Sequence, residues 1–136
     1  MALTRMSGTS LNTYPHPEEG LAHDDRPEIA AVYDNLFDGE TVDRIFRGGP
    51  AGIELLAVTN KRLMSVDPFS YEGRVALTST PLARVTWVSF LAPLDQPLDR
   101  AQTVGIRVIS VMFELHCANA TQAREAHDLI SWNLTH

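Results

Sequence analysis

The side chains able to do chemistry are few, and their spacing does not gather them into a site. His16, Glu18, Glu19, His23, Asp24 and Asp25 carry metal-ligating atoms, but they lie in Met1–Arg26, which mixes Ser, Thr, Gly, Pro and acids without helical or strand period. Such a stretch buries too little apolar surface to offset the entropy of ordering, and a metal site needs held geometry. The expectation is a flexible tail, dispensable for folding, and no metal. His116 alternates out of phase with Phe113, Leu115 and Cys117, which puts it on a strand surface; His127 flanks a helical stripe. Neither has a sequence-local carboxylate or nucleophile that suggests a relay. Cys117 is the single cysteine, which excludes an intrachain disulfide and a cysteine-cluster metal site. No nucleophile elbow, phosphate loop, zinc-binding helix or dinucleotide fingerprint is present. No catalytic residue or cofactor is assigned, and an enzyme whose groups converge only in space is carried as an alternative.

Composition narrows the partners. With 17 acidic residues against 11 Lys and Arg, the formal charge is −6, the wrong sign for neutralising phosphates of a nucleic acid and unfavourable for an anionic membrane. No apolar run approaches the roughly 20 residues of a membrane helix, and no basic-then-apolar leader is visible. The expected location is the cytoplasm. A chain of 136 residues with 44% hydrophobic content is enough for one core.

The elements that must position any site follow from periodicity. Pro27 after Asp24-Asp25 suits a helix start, and Ile29, Val32, Tyr33, Leu36 and Phe37 share one face up to the stop at Asp38-Gly39. The period then changes to two. Strands are expected at 41–47, 53–58, 62–67, 74–80, 85–90, 104–108 and 113–117, with Asn60-Lys61 as a tight turn and a turn near Ser110 that no glycine marks. The stretch 68–73 reads as a loop carrying Phe69 and Tyr71, and 92–102 as the longest loop. Asn119 and Gln122 resemble a capping box before a helix over 121–134, with Ala123, Ala126, Ile130 and Leu134 in one stripe. Trp87 and Phe113 fall on apolar phases and are expected in the core. The fold class is mainly β: a seven-stranded antiparallel sandwich or partly open barrel, capped by a C-terminal helix and preceded by a short N-terminal one.

From Leu36 to Leu134 the sequence resembles the bacterial pleckstrin-homology-like domains. The resemblance is carried by Gly39-Glu40 before the first strand, by Leu56-Ala57-Val58-Thr59-Asn60-Lys61-Arg62-Leu63 across a hairpin, by Pro81 to Val88, and by Ala126-His127-Asp128-Leu129-Ile130 in the last helix. It implies two sheets with a helix over one end, and members that assemble into oligomers. The lipid headgroup site of pleckstrin-homology domains lies at the mouth formed by the loops between strands one and two and between strands three and four. At that place the resemblance offers Arg44, Arg47 and Arg74, beside a Gly48-Gly49-Pro50-Ala51-Gly52 loop that lacks lysine.

Two readings of Thr59-Asn60-Lys61-Arg62 compete: a basic contact site, or a hairpin whose Thr59 and Arg62 satisfy neighbouring backbone or carboxylate groups. Phe69 and Tyr71 suit an interface, or fold back on the sheet. The N-terminal helix must bury Ile29, Val32, Leu36 and Phe37 on its own sheet or on a neighbouring subunit. The resulting expectation is a non-catalytic scaffold or adaptor, self-associating or binding a protein, with anionic lipid as the rival ligand.

Overall fold

The computed structural model describes residues 27–49, 51–69 and 74–136, without the side chains of Pro68 and Phe69. Helix α1 (Pro27–Asp34) leads into β1 (Val42–Arg47), β2 (Leu55–Thr59), β3 (Arg62–Phe69) and β4 (Arg74–Pro81). A short 3-10 turn, Leu82–Arg84, leads to β5 (Val85–Leu91), followed by β6 (Thr103–Val108), β7 (Val111–His116) and helix α2 (Ala120–Thr135). The strands form an antiparallel four-stranded sheet ordered β1-β2-β3-β4 and a three-stranded sheet ordered β5-β6-β7. This is the expected architecture. The tail and Tyr71 lie outside the described residues.

Every residue of β2 is buried, because this strand is sandwiched on both faces. Leu56 and Val58 enter a core shared with Ile106 and Leu115 of the second sheet and Ala126 and Ile130 of α2. Leu55 and Ala57 point the other way, toward Ile29 and Val32 of α1, alongside Met64 and Val66 of β3. A strand buried on both sides reads as a continuous apolar run, which is why Leu55-Leu56-Ala57-Val58 shows no polar alternation.

Three expectations need correction. The N-terminal helix stops at Asp34 and not at Asp38, because the carbonyl of Asn35 accepts from Arg62 and the amide of Phe37 donates to Glu40. Trp87 is 60% exposed. Val85 pairs with Val108 and Trp87 with Arg107, so Thr86 is an extra residue, a bulge that reverses the strand's phase. Val88, and not Trp87, therefore packs on the core. Phe113 keeps the phase of Leu115 but is 44% exposed, since β7 is the terminal strand of its sheet and Phe113 sits at the rim of the seam facing β4.

The terminal helix begins as its capping residues require, with the amide of Gln122 donating to Asn119 Oδ1 at 2.8 Å. It packs on β5 and β6, and it is tied to the first sheet by Arg44–Glu125 at 3.2 Å and by Asn133 Nδ2 donating to Asp43 Oδ2 at 3.1 Å. One side of the sheet pair is thus covered. The β4–β7 side carries no helix among the described residues.

Candidate interaction surfaces

The hairpin Thr59–Arg62 is the structural lock of the first sheet. Arg62 is buried and grips Glu40 with two donors, Nε to Oε2 at 2.9 Å and Nη2 to Oε1 at 3.0 Å. Its Nη1 donates to Ser79 Oγ at 2.7 Å, and its guanidinium lies 4.0 Å from the centroid of the Phe37 ring. Glu40, with no exposed surface, also accepts from Thr59 Oγ1 at 2.6 Å and from the Phe37 amide at 2.8 Å. Burial alone would push the Glu40 carboxyl up. The hydrogen bonds from Arg62, Phe37 and Thr59, with the guanidinium charge, outweigh it and hold the group below the usual carboxylate range. Of the two readings of this hairpin, the one in which Thr59 and Arg62 satisfy a carboxylate and backbone groups describes the observed contacts.

The three arginines offered as an anion site do not converge. Arg44 lies on the face of β1 that meets α2 and pairs with Glu125; Arg47 lies on the opposite face, 3.5 Å from Glu28 of α1. Arg74 begins β4, at the far edge of the same sheet, with two strands between it and β1. Of the contact candidates, Ile29 and Val32 are buried on the chain's own sheet and Leu36 is partly buried against it, whereas Phe37 stays 57% exposed beneath Arg62. Phe69 is the last residue of β3, not a loop residue, and its side chain is not described.

Two surfaces were not anticipated. The first is a cross-strand row on the outer face of the three-stranded sheet, Trp87–Arg107–Met112, set by consecutive pairings. The Arg107 guanidinium lies 4.7 Å from the Trp87 ring centroid, and Ile109 and Val111 add exposed apolar surface at the adjoining turn. No local residue type marks the bulge that turns Trp87 outward, so the row was hidden in the sequence. The second is the β4–β7 seam. It holds an apolar cavity of about 110 Å³ whose walls include Leu63, Ile106 and Phe113 with the hydroxyls of Ser65, Thr78 and Thr80. An adjoining open cavity of about 460 Å³ shares Ile53, Asp67 and Phe113 with it and adds Glu114. The glycine-rich β1–β2 loop closes against β7: the amide of Gly49 donates to the His116 carbonyl and that of Ile53 to the Glu114 carbonyl, both at 2.9 Å. A Cβ on Gly52 would stand 2.2 Å from the Glu114 carbonyl oxygen, so this close approach requires glycine.

The histidines do have carboxylate neighbours, contrary to the expectation from sequence. His116 Nε2 is 3.3 Å from Glu114 Oε1, and His127 Nδ1 is 2.9 Å from Asp128 Oδ1. Both pairs sit on half-exposed surface, and His127 stacks on Phe90 at 4.0 Å between centroids. Burial pushes the Cys117 thiol up to about 11, which makes it a poor nucleophile. Among the described residues, no three His, Cys, Asp or Glu side chains are grouped to hold a metal ion. No helix among them is long and apolar enough to cross a membrane.

No protein-family model matches the sequence, and no curated protein does. Solved structures do. The pleckstrin homology domain of Shewanella amazonensis SB2B is 18% identical with a TM-score of 0.56, over 82% of this chain and 100% of that one. A DUF1696 family protein with a pleckstrin-homology domain from Shewanella loihica PV-4 is 17% identical with a TM-score of 0.51, over 83% of this chain and 95% of that one. Two antiparallel sheets, a C-terminal helix across them and these likenesses give the chain a pleckstrin-homology-like fold.

Proposed function

We propose that the chain is a non-catalytic interaction module that self-associates and serves as an oligomeric scaffold or adaptor. The observation that carries this reading is the Trp87–Arg107–Met112 row, with Trp87 60% exposed. Trp, Met and Arg are the side chains enriched in protein interfaces, and a tryptophan covers much area with little rotamer entropy to lose. Stacking against Arg107 holds the indole in place before any partner arrives.

The direct test is light scattering over a concentration series, on the intact chain and on Trp87→Arg. The reading expects a mass that rises above the monomer with concentration, and a return to monomer in Trp87→Arg with an unchanged circular dichroism spectrum. A monomer mass at every concentration of the unaltered chain would remove it.

A further inference from the structure

We infer that the β4–β7 seam is a second docking surface, which takes an extended peptide bearing an apolar side chain followed, two residues later, by a lysine or arginine. The inference rests on the reading of the chain as an interaction module and names a partner by its chemistry.

Among the described residues, strand β4 is the terminal strand of its sheet and pairs with β3 alone. Between Arg74 and Pro81, its first and last residues, it carries Val-Ala-Leu-Thr-Ser-Thr, six residues of which none is charged. Sheet edges are ordinarily protected by charge, bulges or short length. This one has a continuous eight-residue register with β3 and no bulge. Its outward amides and carbonyls are a template for one more strand, the mode by which extended peptides add to sheets.

The side-chain chemistry of the seam selects what that strand can be. Thr78 lies opposite Ser65 and Thr80 opposite Leu63, and all four line the apolar cavity between β4 and Phe113. A strand laid along β4 drops alternate side chains toward this cavity, where Leu63, Ile106 and Phe113 favour an apolar group. The next position on the same face of β4 is Ala76, opposite Asp67. There the seam opens into the larger cavity, lined by the carboxylates of Asp67 and Glu114 and by no Lys or Arg. One Asp67 oxygen accepts from the Glu54 amide at 2.9 Å, which fixes the carboxylate in place and leaves its other oxygen to a ligand.

Polarity follows from strand direction. The acidic end is the N-terminal end of β4. An antiparallel guest, the more stable pairing, runs its C-terminus toward that end and presents the basic residue after the apolar one. The acidic cavity disfavours phosphate and carboxylate ligands at this mouth, where two carboxylates already stand.

The probe is a blocked, fluorescent octapeptide Thr-Val-Thr-Leu-Thr-Lys-Thr-Thr titrated with the intact chain by polarisation. The expected result is saturable binding, about tenfold weaker when the lysine is replaced by glutamate, which corresponds to ~1.4 kcal/mol. N-methylation of one alternate set of peptide amides should abolish binding, while methylation of the other set leaves it unchanged. That asymmetry reports strand pairing and needs no change in the protein. The double variant Asp67→Asn, Glu114→Gln, with asparagine keeping the acceptor for the Glu54 amide, should bind the lysine and glutamate peptides alike. Absence of binding at millimolar protein, or equal binding of the two peptides to the unaltered chain, overturns the proposal. So does a dimer that Thr78→Lys dissociates while Trp87→Arg does not, which would assign the β4 edge to a second copy. Loss of self-association in Trp87→Arg with the peptide still bound leaves this proposal standing. Self-association without peptide binding sinks it and spares the scaffold reading.

Discussion

Truncating Arg62 is the sharpest test of how the first sheet is held. Arg62→Ala removes two donors from Glu40, one from Ser79 and one from the Asn35 carbonyl, and leaves a carboxylate with no exposed surface beside only Thr59 and the Phe37 amide. Breaking a buried pair by removing one partner typically costs about 3–5 kcal/mol, because the surviving charge is uncompensated. That is a large share of the ~5–15 kcal/mol by which domains are stable, and at this chain length it lowers the melting temperature by about 10–20 °C. The assay is urea unfolding followed by circular dichroism at pH 7 and again near pH 4. Glu40 is held below its ordinary value of 4.5 in the folded chain, so the pair's contribution is fully present above that value. It is lost as pH falls through the lower, folded pKa. Without Arg62, the opposing effect of burial remains and raises the Glu40 pKa, so the variant neutralises its buried charge in acid. The difference between the two proteins should therefore shrink from pH 7 to pH 4. A loss under about 1 kcal/mol at pH 7, the range of an exposed pair, would refute the reasoning. A difference that is the same at both pH values would refute the electrostatic part of it.

Trp87→Ala should change the stability of dilute protein by no more than about 0.5–1 kcal/mol, as for a surface site, whereas Leu115→Ala, fully buried, should lose about 2–5 kcal/mol; urea midpoints decide between them. Cys117, with its thiol at about 11, should resist iodoacetamide at pH 8 in the folded chain and react once urea unfolds it; mass spectrometry counts the adduct. Ile109 holds a φ of 58° at an exposed turn, which strains a β-branched residue. Ile109→Asn should raise stability by about 1 kcal/mol, and an unchanged or lower melting temperature would count against that strain.

The strands and the terminal helix were legible because each has a local cause: the period-two pattern, the Asn60 turn and the Asn119 cap act on neighbouring residues. What the sequence hid depends on distant partners. The early stop of α1 requires Arg62, far along the chain, to capture the Asn35 carbonyl. The outward turn of Trp87 requires the extra residue at Thr86, whose hydroxyl donates to the Arg107 carbonyl across the sheet. Phase counting assumes an unbroken ladder, and one bulge inverts everything before it relative to everything after. Phe113 shows the complementary failure: its phase was right, but phase does not tell whether a neighbouring strand covers the position. The arginines of the anticipated anion site looked grouped because Arg44 and Arg47 are close in sequence, yet an odd spacing on a strand sends them to opposite faces.

These placements also restrict where the chain could meet a partner. The outer face of the four-stranded sheet is occupied by α1, whose Ile29 and Val32 are spent on Leu55, Met64 and Val66. Its inner face is core, and its β1 flank is tied to α2 through Glu125 and Asn133. Besides the exposed Phe37, Leu94, Leu98 and Trp132, the described residues leave two strand surfaces with apolar side chains in the open, the outer face around Trp87 and the β4–β7 seam at Phe113. They meet along β7, where Met112 faces outward and Phe113 faces the seam. One strand therefore lines both.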